Sequence, residues 1–137
     1  MDGFLTLFDT IGLLARRRYQ TAERAFAALG LNHTEARLLT LLEDAGGAAT
    51  QDHLSGALFV DRSNAGRALK RLEREGYVVR RRDETDRRTN RVHLADKGRD
   101  AVTRIADLKV EIARSFFVGL TEAEAGALAE RLKRALA

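Results

Sequence analysis

Apolar residues recur along the first thirty positions in alternating steps of four and three. This spacing lays a single apolar stripe along a helix of about 26 residues, or about 39 Å, that ends at Gly30. A helix of that length is long for so small a domain, so we expect it to pack beyond its own core. The stripe consists of Phe4, Phe8, Ile11, Ala15, Tyr19, Ala22, Phe26 and Leu29.

Capping residues predict where the next two helices begin. Asn32 and Glu35 have the spacing of a capping box at the start of a second helix, which Gly46 and Gly47 end. Thr50 is the N-cap predicted for a short third helix. The inward positions of these two helices are Leu38, Leu39, Leu42, Leu54 and Leu58.

A fourth helix is predicted from a cap at Asp61 through Glu75, and its two faces differ in chemistry. Ala65, Leu69 and Leu72 share the inner face. The outer face is polar and rich in arginine, with Ser63, Asn64, Arg67, Lys70, Arg71 and Arg74.

Two short strands are predicted after Gly76, which ends the fourth helix. Residues 77–79 are aromatic and β-branched, and residues 92–94 alternate apolar and polar. The strands bracket a basic loop, residues 80–91. The sequence therefore predicts a β-hairpin with a charged tip.

Two further amphipathic helices are predicted after the hairpin. The first begins at Asp96, with Gly98 just inside it, and ends at Gly119. Thr121 and Glu124 form a second capping box, which starts the last helix. The apolar stripes of the two helices are Ile105, Leu108, Ile112 and Phe116, then Leu128, Leu132 and Leu136. The fold class expected is mainly α with one small β-hairpin.

Composition narrows the chemistry that a chain of 137 residues can perform. The absence of cysteine excludes disulfides, thiolate metal sites and cysteine nucleophiles, and no apolar run is long enough for a membrane span. The three histidines show no metal-ligand spacing, and no nucleophile elbow, P-loop or zinc-protease motif is present. We expect a soluble cytoplasmic domain without cofactor or metal, and not an enzyme.

The positive charge of the chain is concentrated in one segment. Residues 61–91 hold eleven basic and six acidic residues, a net +5, whereas the whole chain carries +4. A charge run of this kind can be a solvated surface. However, ten of the eleven cations are arginine, whose planar fork matches phosphate groups and guanine edges. This composition favours a nucleic-acid partner.

The order helix, helix, basic helix, hairpin is typical of a winged helix-turn-helix, and the residues from about Leu54 to Gly98 resemble the MarR family of bacterial transcription regulators. The matching motifs are RLEREGYVVR at 71–80 and DETDRRTNRVHLADKG at 83–98, with Asp86-Arg87-Arg88 the most specific element. Two positions depart from the family pattern: Phe59 stands where the turn often has glycine, and Ala95 where threonine is usual, which moves the helix cap to Asp96.

The resemblance implies a division of labour along a single domain, residues 1–137. Residues 32–98 would form the DNA-binding lobe, and residues 1–30 and 99–137 would supply dimerisation helices. The dimer would read two half-sites of a pseudo-palindromic operator in double-stranded DNA. Candidate interface residues are Phe4, Phe8, Ile11, Phe116, Phe117, Leu128 and Leu132.

The resemblance also assigns DNA-contacting roles. Ser63, Asn64 and Arg67 would reach base edges from the recognition helix. Arg88, held by Asp86, would enter the minor groove at the wing tip. The competing interpretation is that Asp86 and Arg88 form an ordinary surface ion pair. The candidates for phosphate contact are Thr50, Gln51, Arg62, Lys70, Arg71 and Arg87.

Other basic and glycine positions have two interpretations each. Arg80, Arg81 and Arg82 either face DNA or keep a strand edge from aggregating. Gly66 lies inside the predicted recognition helix, where glycine is unfavourable. It either permits close approach of the helix backbone to DNA or reflects neutral drift.

The family resemblance further implies a repressor whose DNA affinity falls when a small phenolic or other aromatic anion binds between the dimer helices and the DNA-binding lobes. Arg16, Arg17 and His33 are candidate effector contacts, with solvated or ion-paired side chains as the alternative. Two competing functions are an architectural protein that coats DNA without sequence choice and a winged-helix module that binds protein.

Overall fold

The structure is a computed structural model that describes residues 2–58, 62–82, 84–86 and 90–136, and for Arg62 the backbone alone. It is mainly helical with one small antiparallel sheet, as the sequence predicts. The elements are α1 (Gly3–Ala27), α2 (His33–Asp44), β1 (Ala48–Thr50), α3 (Gln51–Leu58), α4 (Arg62–Arg74), β2 (Val78–Arg82), β3 (Asn90–Leu94), α5 (Asp96–Phe116) and α6 (Glu122–Ala135).

Side-chain caps begin the helices largely where the sequence places them. The Asn32 Oδ1 accepts from the Glu35 amide at 2.8 Å, and Glu35 Oε1 accepts from the Asn32 amide at 2.8 Å. Thr121 and Glu124 form the equivalent box at α6, and these hydrogen bonds lower the pKa of the Glu124 carboxyl. The Thr50 hydroxyl accepts from the His53 amide at 3.2 Å at the start of α3. These three predictions are confirmed, whereas Asp61 and Phe59 lie outside the described residues.

The sheet contains a strand that the sequence pattern does not indicate. Its order is β1-β3-β2, with Ala49 opposite Val92 and Val78 opposite Leu94. The expectation of a two-stranded hairpin was therefore incomplete. β1 is three residues long and contains two alanines, which have little strand preference. Pairing with β3 is what makes it a strand.

The start of α5 differs from the prediction. Its N-cap is Ala95, which has no side chain to cap the helix, and Asp96 is the first helical residue. The Asp96 carboxylate instead accepts from Arg99 Nη1 at 3.0 Å. Gly98 is buried in the first turn, and a Cβ there would lie 2.2 Å from the Tyr77 carbonyl oxygen. Glycine is required at this position because α5 packs directly on the backbone before β2.

The hydrophobic core lies in the lobe formed by α2, α3, α4 and the sheet. The carboxyl end of α1 and the first half of α5 close it from one side. The largest fully buried apolar side chains are Leu38, Leu39, Leu42, Leu54, Leu69, Leu72, Val78 and Val92.

The predicted apolar stripes extend well beyond this core. In α1 only Ala22 and Phe26 are buried, while Phe4 and Phe8 are 89% and 76% exposed. None of the residues of α6 is buried within the protomer. Within the described ranges, every helix is too short or too polar to span a membrane.

Candidate DNA-binding surface

Helix α4 has the two faces that its sequence predicts. Ala65, Leu69 and Leu72 are fully buried against the core. On the opposite side, four polar residues between positions 63 and 70 face solvent. These exposed residues are Ser63, Asn64, Arg67 and Lys70.

Two of these side chains are held next to each other. Arg67 Nη2 donates to Asn64 Oδ1, one helical turn away. An amide and a guanidinium are the groups that read adenine and guanine edges in the major groove. The contact therefore holds these two groups next to each other on the exposed face of α4.

Arg71 has partners within the protein that its predicted role at a phosphate does not include. Its Nη1 donates to both carboxylate oxygens of Glu35 at 2.7 Å, and its Nη2 donates to the Gly30 carbonyl at 2.9 Å. The hydrogen bonds and charge of Glu35 raise the pKa of Arg71 above its usual value. The Arg71 side chain is still 39% exposed, so its phosphate contact stays a prediction beside this structural role.

Thr50 and Gln51 begin α3 at the edge of this surface, and both are half-buried. Gln51 Oε1 accepts from Arg80 Nη1 at 3.1 Å, and Arg80 Nε also pairs with Glu73 at 3.2 Å. Gln51 thus joins α3 to β2, and Arg80 has a structural partner that neither of its two interpretations includes. Arg81 and Arg82 are exposed.

Gly66 faces the neighbouring helix. A Cβ built on it would lie 3.1 Å from Gln51 Nε2, the far end of a flexible side chain. Because that side chain can move aside, the contact does not by itself require glycine, and the DNA-approach and neutral-drift interpretations both stay open.

The hairpin β2–β3 carries further cations toward its tip. Arg81 pairs with Arg91 and Arg82 with Asn90 in the strand register. Asp86 is exposed near the tip, while Arg87 and Arg88 lie outside the described residues, as does the predicted contact between Asp86 and Arg88.

A cleft of about 490 Å³ lies between α1, α2 and α5. The His33 ring packs edge-on against Tyr19, with ring centroids 4.8 Å apart, and stacks with Phe26 at 6.1 Å. The cleft is lined by Ala15, Arg18, Tyr19, Ala22, Phe26, His33, Ala36, Arg37, Thr40, Leu41, Ile105, Lys109 and Ile112. Its floor is apolar, and its cations come from all three helices.

Only one of the three predicted effector contacts lines this cleft. His33 does, whereas Arg16 and Arg17 are exposed elsewhere on α1. Each helical residue advances about 100°, so the face of α1 that includes Ala15 and Tyr19 also includes Arg18. Arg16 and Arg17 lie on other faces. The sequence analysis missed Arg18, Arg37 and Lys109, although the apolar stripe of α1 already implied the correct face.

His33 has an unusual environment at the edge of the cleft. Its Nδ1 is buried and has no hydrogen-bond partner among the described residues. Burial lowers the pKa of the His33 imidazole, Glu23 opposes this effect, and the charges of Arg37 and Arg18 add to it. In the same described ranges, no three His, Asp or Glu side chains are grouped to hold a metal ion.

The arrangement of α2, α3 and α4 with the β2–β3 hairpin is that of a winged helix-turn-helix protein. The model of the MarR family matches residues 29–89. An HTH-type transcriptional regulator of Bacillus subtilis, YkoM, is 36% identical over 107 residues, which is 77% of this chain and 68% of that protein. The chain belongs to the MarR family of transcriptional regulators.

A second relative is matched over a shorter stretch. A putative transcriptional regulatory protein for the hcr operon of Thauera aromatica is 35% identical over 85 residues, or 62% of this chain. The match spans about half the length of that protein, 51%.

Solved structures share the fold across the whole chain. A mutant of Escherichia coli MarR in complex with operator DNA has a TM-score of 0.81 at 22% identity and full coverage of both chains. The organohalide-sensing regulator RdhR-CbdbA1625 with bound 2,4-dichlorophenol has a TM-score of 0.78 at 17% identity, with 98% of this chain and 79% of that chain covered.

Proposed function

We propose that this chain is a homodimeric repressor that binds a pseudo-palindromic operator in double-stranded DNA and is released by a small aromatic anion. The observation that carries the DNA-binding part is the exposed polar face of α4, opposite a fully buried apolar face. In this proposal Ser63, Asn64 and Arg67 contact bases, and Lys70 contacts phosphate. Arg62 and Arg87 would also contact phosphate, and Arg88 with Asp86 would serve the minor groove.

Thr50 and Gln51 have a more limited role in the proposal. Both already make hydrogen bonds inside the motif, with the His53 amide and with Arg80. A hydroxyl such as that of Thr50 and an amide such as that of Gln51 are groups that contact phosphate oxygens, which is the role proposed for both at the start of α3.

The proposed dimer is supported by apolar side chains that are exposed to solvent in the single protomer. Phe4, Phe8 and Ile11 on α1 are exposed, as are Phe117 and Leu128 near the carboxyl end. Phe116 and Leu132 are half-buried. Phe4, Phe8 and Ile11 share one face of α1, and an exposed apolar stripe of this kind supports an interaction site. Helices 1–30 and 99–137 from two protomers would bury it together and hold two copies of α4 on one face of the DNA.

The effector part rests on the cleft between α1, α2 and α5. Its volume lies within the ordinary range for small-molecule sites. Arg18, Arg37 and Lys109 can attract an anion, and Tyr19 and Phe26 can pack on an aromatic ring. A ligand group at His33 Nδ1 would supply the hydrogen bond that this atom lacks among the described residues. Ligand binding would release DNA if the liganded dimer spaces its recognition helices wrongly.

The test of DNA binding is selection of bound fragments from random DNA by the purified protein. A shared inverted repeat is expected, with affinity falling by roughly 10³–10⁵ between 50 and 200 mM salt if the dimer neutralises six to ten phosphates. An architectural protein would show the salt dependence without a shared sequence. A protein-binding module would select nothing.

One variant on α4 and one control on α5 test whether Arg67 contacts a base. Arg67→Ala should weaken binding to the selected operator by about 1–3 kcal/mol and relax the preference at one base pair. Arg104→Ala removes the same charge from the exposed face of α5 and serves as the control. Equal losses in both variants would contradict a base-reading role for Arg67.

The effector site is tested with 2,4-dichlorophenol and benzoate as probes. Binding should raise the melting temperature of the protein, because a ligand that binds only the folded state stabilises it. The Arg37→Ala variant should lose this increase for benzoate. An unchanged melting temperature of the wild-type protein with both probes would contradict an aromatic-anion effector.

A further inference from the structure

The guanidinium of Arg71 joins three parts of the fold at one point. Arg71 lies in the second half of α4, Glu35 in the first turn of α2, and Gly30 in the connection between α1 and α2. Nη1 bonds both oxygens of the Glu35 carboxylate, and Nη2 bonds the Gly30 carbonyl, all at 2.7–2.9 Å. The Glu35 side chain is only 2% exposed. The partner of Arg71 is therefore beyond the reach of DNA.

The same carboxylate also organises the α1–α2 junction. Glu35 Oε1 accepts from the Asn32 amide as part of the capping box. The next amide, that of His33, donates to Glu23 of α1 at 3.1 Å. Gly30 has φ +77°, a conformation that favours glycine, so the carbonyl bound by Arg71 belongs to a tightly specified turn. These contacts link α4 to α1 through charged, hydrogen-bonded groups.

We propose that Arg71 is a positioning residue that sets the spacing of operator half-sites by fixing α4 relative to α1. This inference rests on the proposed function, because it concerns how the dimer measures DNA. If α1 forms the dimer, its angle to α4 sets the separation of the two recognition helices. Each added base pair turns one half-site by about 34° relative to the other. A dimer in which the contact of Arg71 with Glu35 and Gly30 is lost should therefore bind operators with spacers that the wild-type dimer rejects.

The competing role for Arg71 is a direct phosphate contact, and the two roles predict different measurements. Loss of one phosphate contact lowers the salt slope of binding by about one unit per contact and leaves the preferred spacer unchanged. Loss of a positioning contact leaves the salt slope unchanged and flattens the dependence on spacer length.

The first experiment measures operator affinity as a function of spacer length and salt. Operators with identical half-sites and spacers changed by one or two base pairs are titrated with wild type, Arg71→Gln, Arg71→Lys and Glu35→Gln. The matched control is Lys70→Gln, the adjacent exposed cation. For the two Arg71 variants and Glu35→Gln, we expect the affinity ratio between the best and the altered spacers to fall severalfold while the salt slope stays constant. Lys70→Gln should keep that ratio and lower the salt slope.

The Glu35→Gln and Arg71→Lys variants keep the test decisive if Arg71→Gln fails to fold. Glu35 is buried, so its substitution cannot remove a DNA contact. Lysine retains the charge but lacks the planar fork that spans Glu35 and Gly30. A phosphate-binding role predicts that Arg71→Lys resembles wild type. That result, or a reduced salt slope with unchanged spacing in Arg71→Gln, would overturn the proposal.

A second experiment measures, without DNA, how firmly Arg71 and Glu35 fix the position of α4 in the dimer. The chain contains no cysteine, so Arg74→Cys, exposed near the end of α4, introduces a single site for a spin label. The distance between labels in the dimer should be narrowly distributed in the wild-type background and broader with Arg71→Gln or Glu35→Gln. Equal widths would overturn the proposal. Wild-type protein that selects no operator or sediments as a monomer would instead contradict the proposed function itself.

Discussion

The replacement of Gly98 by alanine tests whether α5 packs directly on the backbone that precedes β2. The new Cβ would lie 2.2 Å from the Tyr77 carbonyl oxygen and 2.9 Å from Leu94 Cδ2. Carbon and carbonyl oxygen ordinarily approach to about 3.3 Å, so the helix and the strand must separate by about 1 Å. The same oxygen accepts from the Ala95 amide at 3.0 Å, and this hydrogen bond must also distort.

The magnitude is the balance of two opposing effects. Alanine is favoured over glycine inside a helix by about 1 kcal/mol. Overpacking costs about 1–3 kcal/mol, and a weakened hydrogen bond adds about 1 kcal/mol. Backbone atoms cannot rotate aside as a side chain can. We therefore expect Gly98→Ala to lower the free energy of unfolding by about 1–3 kcal/mol.

The measurement is urea unfolding followed by circular dichroism at one protein concentration. With a slope of about 2 kcal/mol per molar, the midpoint should fall by roughly 0.5–1.5 M. The control is Gly56→Ala in α3, where a Cβ would meet no atom within 4 Å. This substitution should raise the free energy of unfolding by about 0.5–1 kcal/mol. A Gly98→Ala midpoint equal to or above that of wild type would refute the reasoning.

Three further predictions concern caps, titration and assembly. Asn32→Ala removes the side-chain acceptor of the α2 capping box and should lower the free energy of unfolding in urea by about 1 kcal/mol. Asn32→Asp keeps an acceptor and should retain most of the wild-type stability. Because burial lowers the pKa of His33 in the folded state, the unfolded chain binds a proton more readily, and stability should fall as the pH drops through 6.5. His33→Gln should reduce this loss between pH 7.5 and 5.5, measured by urea unfolding, and His53→Gln, at an exposed histidine, is the matched control. Phe8→Glu places a charge on the exposed stripe of α1 and should shift sedimentation at micromolar concentration from dimer to monomer. A dimeric Phe8→Glu protein would exclude this residue from the interface.

Local chemistry explains why several elements could be predicted from the sequence. A capping box depends on residues three positions apart, so the Asn32–Glu35 and Thr121–Glu124 boxes were predicted and found. The faces of α4 follow from helical periodicity, which places Leu69 and Leu72 inside and Arg67 outside. The basic segment and the two hairpin strands could be predicted because they too depend on residues close together in the sequence.

Other features depend on residues far apart along the chain. Strand β1 has weak intrinsic preference and exists because β3 pairs with it. Arg71 looked like one more exposed cation until the fold brought Glu35, 36 positions away, to its guanidinium.

The sequence by itself determined the helices, the caps of α2, α3 and α6, the polar face of α4 and the location of the positive charge, because each depends on neighbours within a turn or two. Tertiary structure alone decided that Arg18, Arg37 and Lys109 meet His33 at one cleft, that Gly98 must lack a side chain, and that Arg71 pairs with the buried Glu35. These features arise where separate elements pack against one another. Their distances are set by the path of the whole chain.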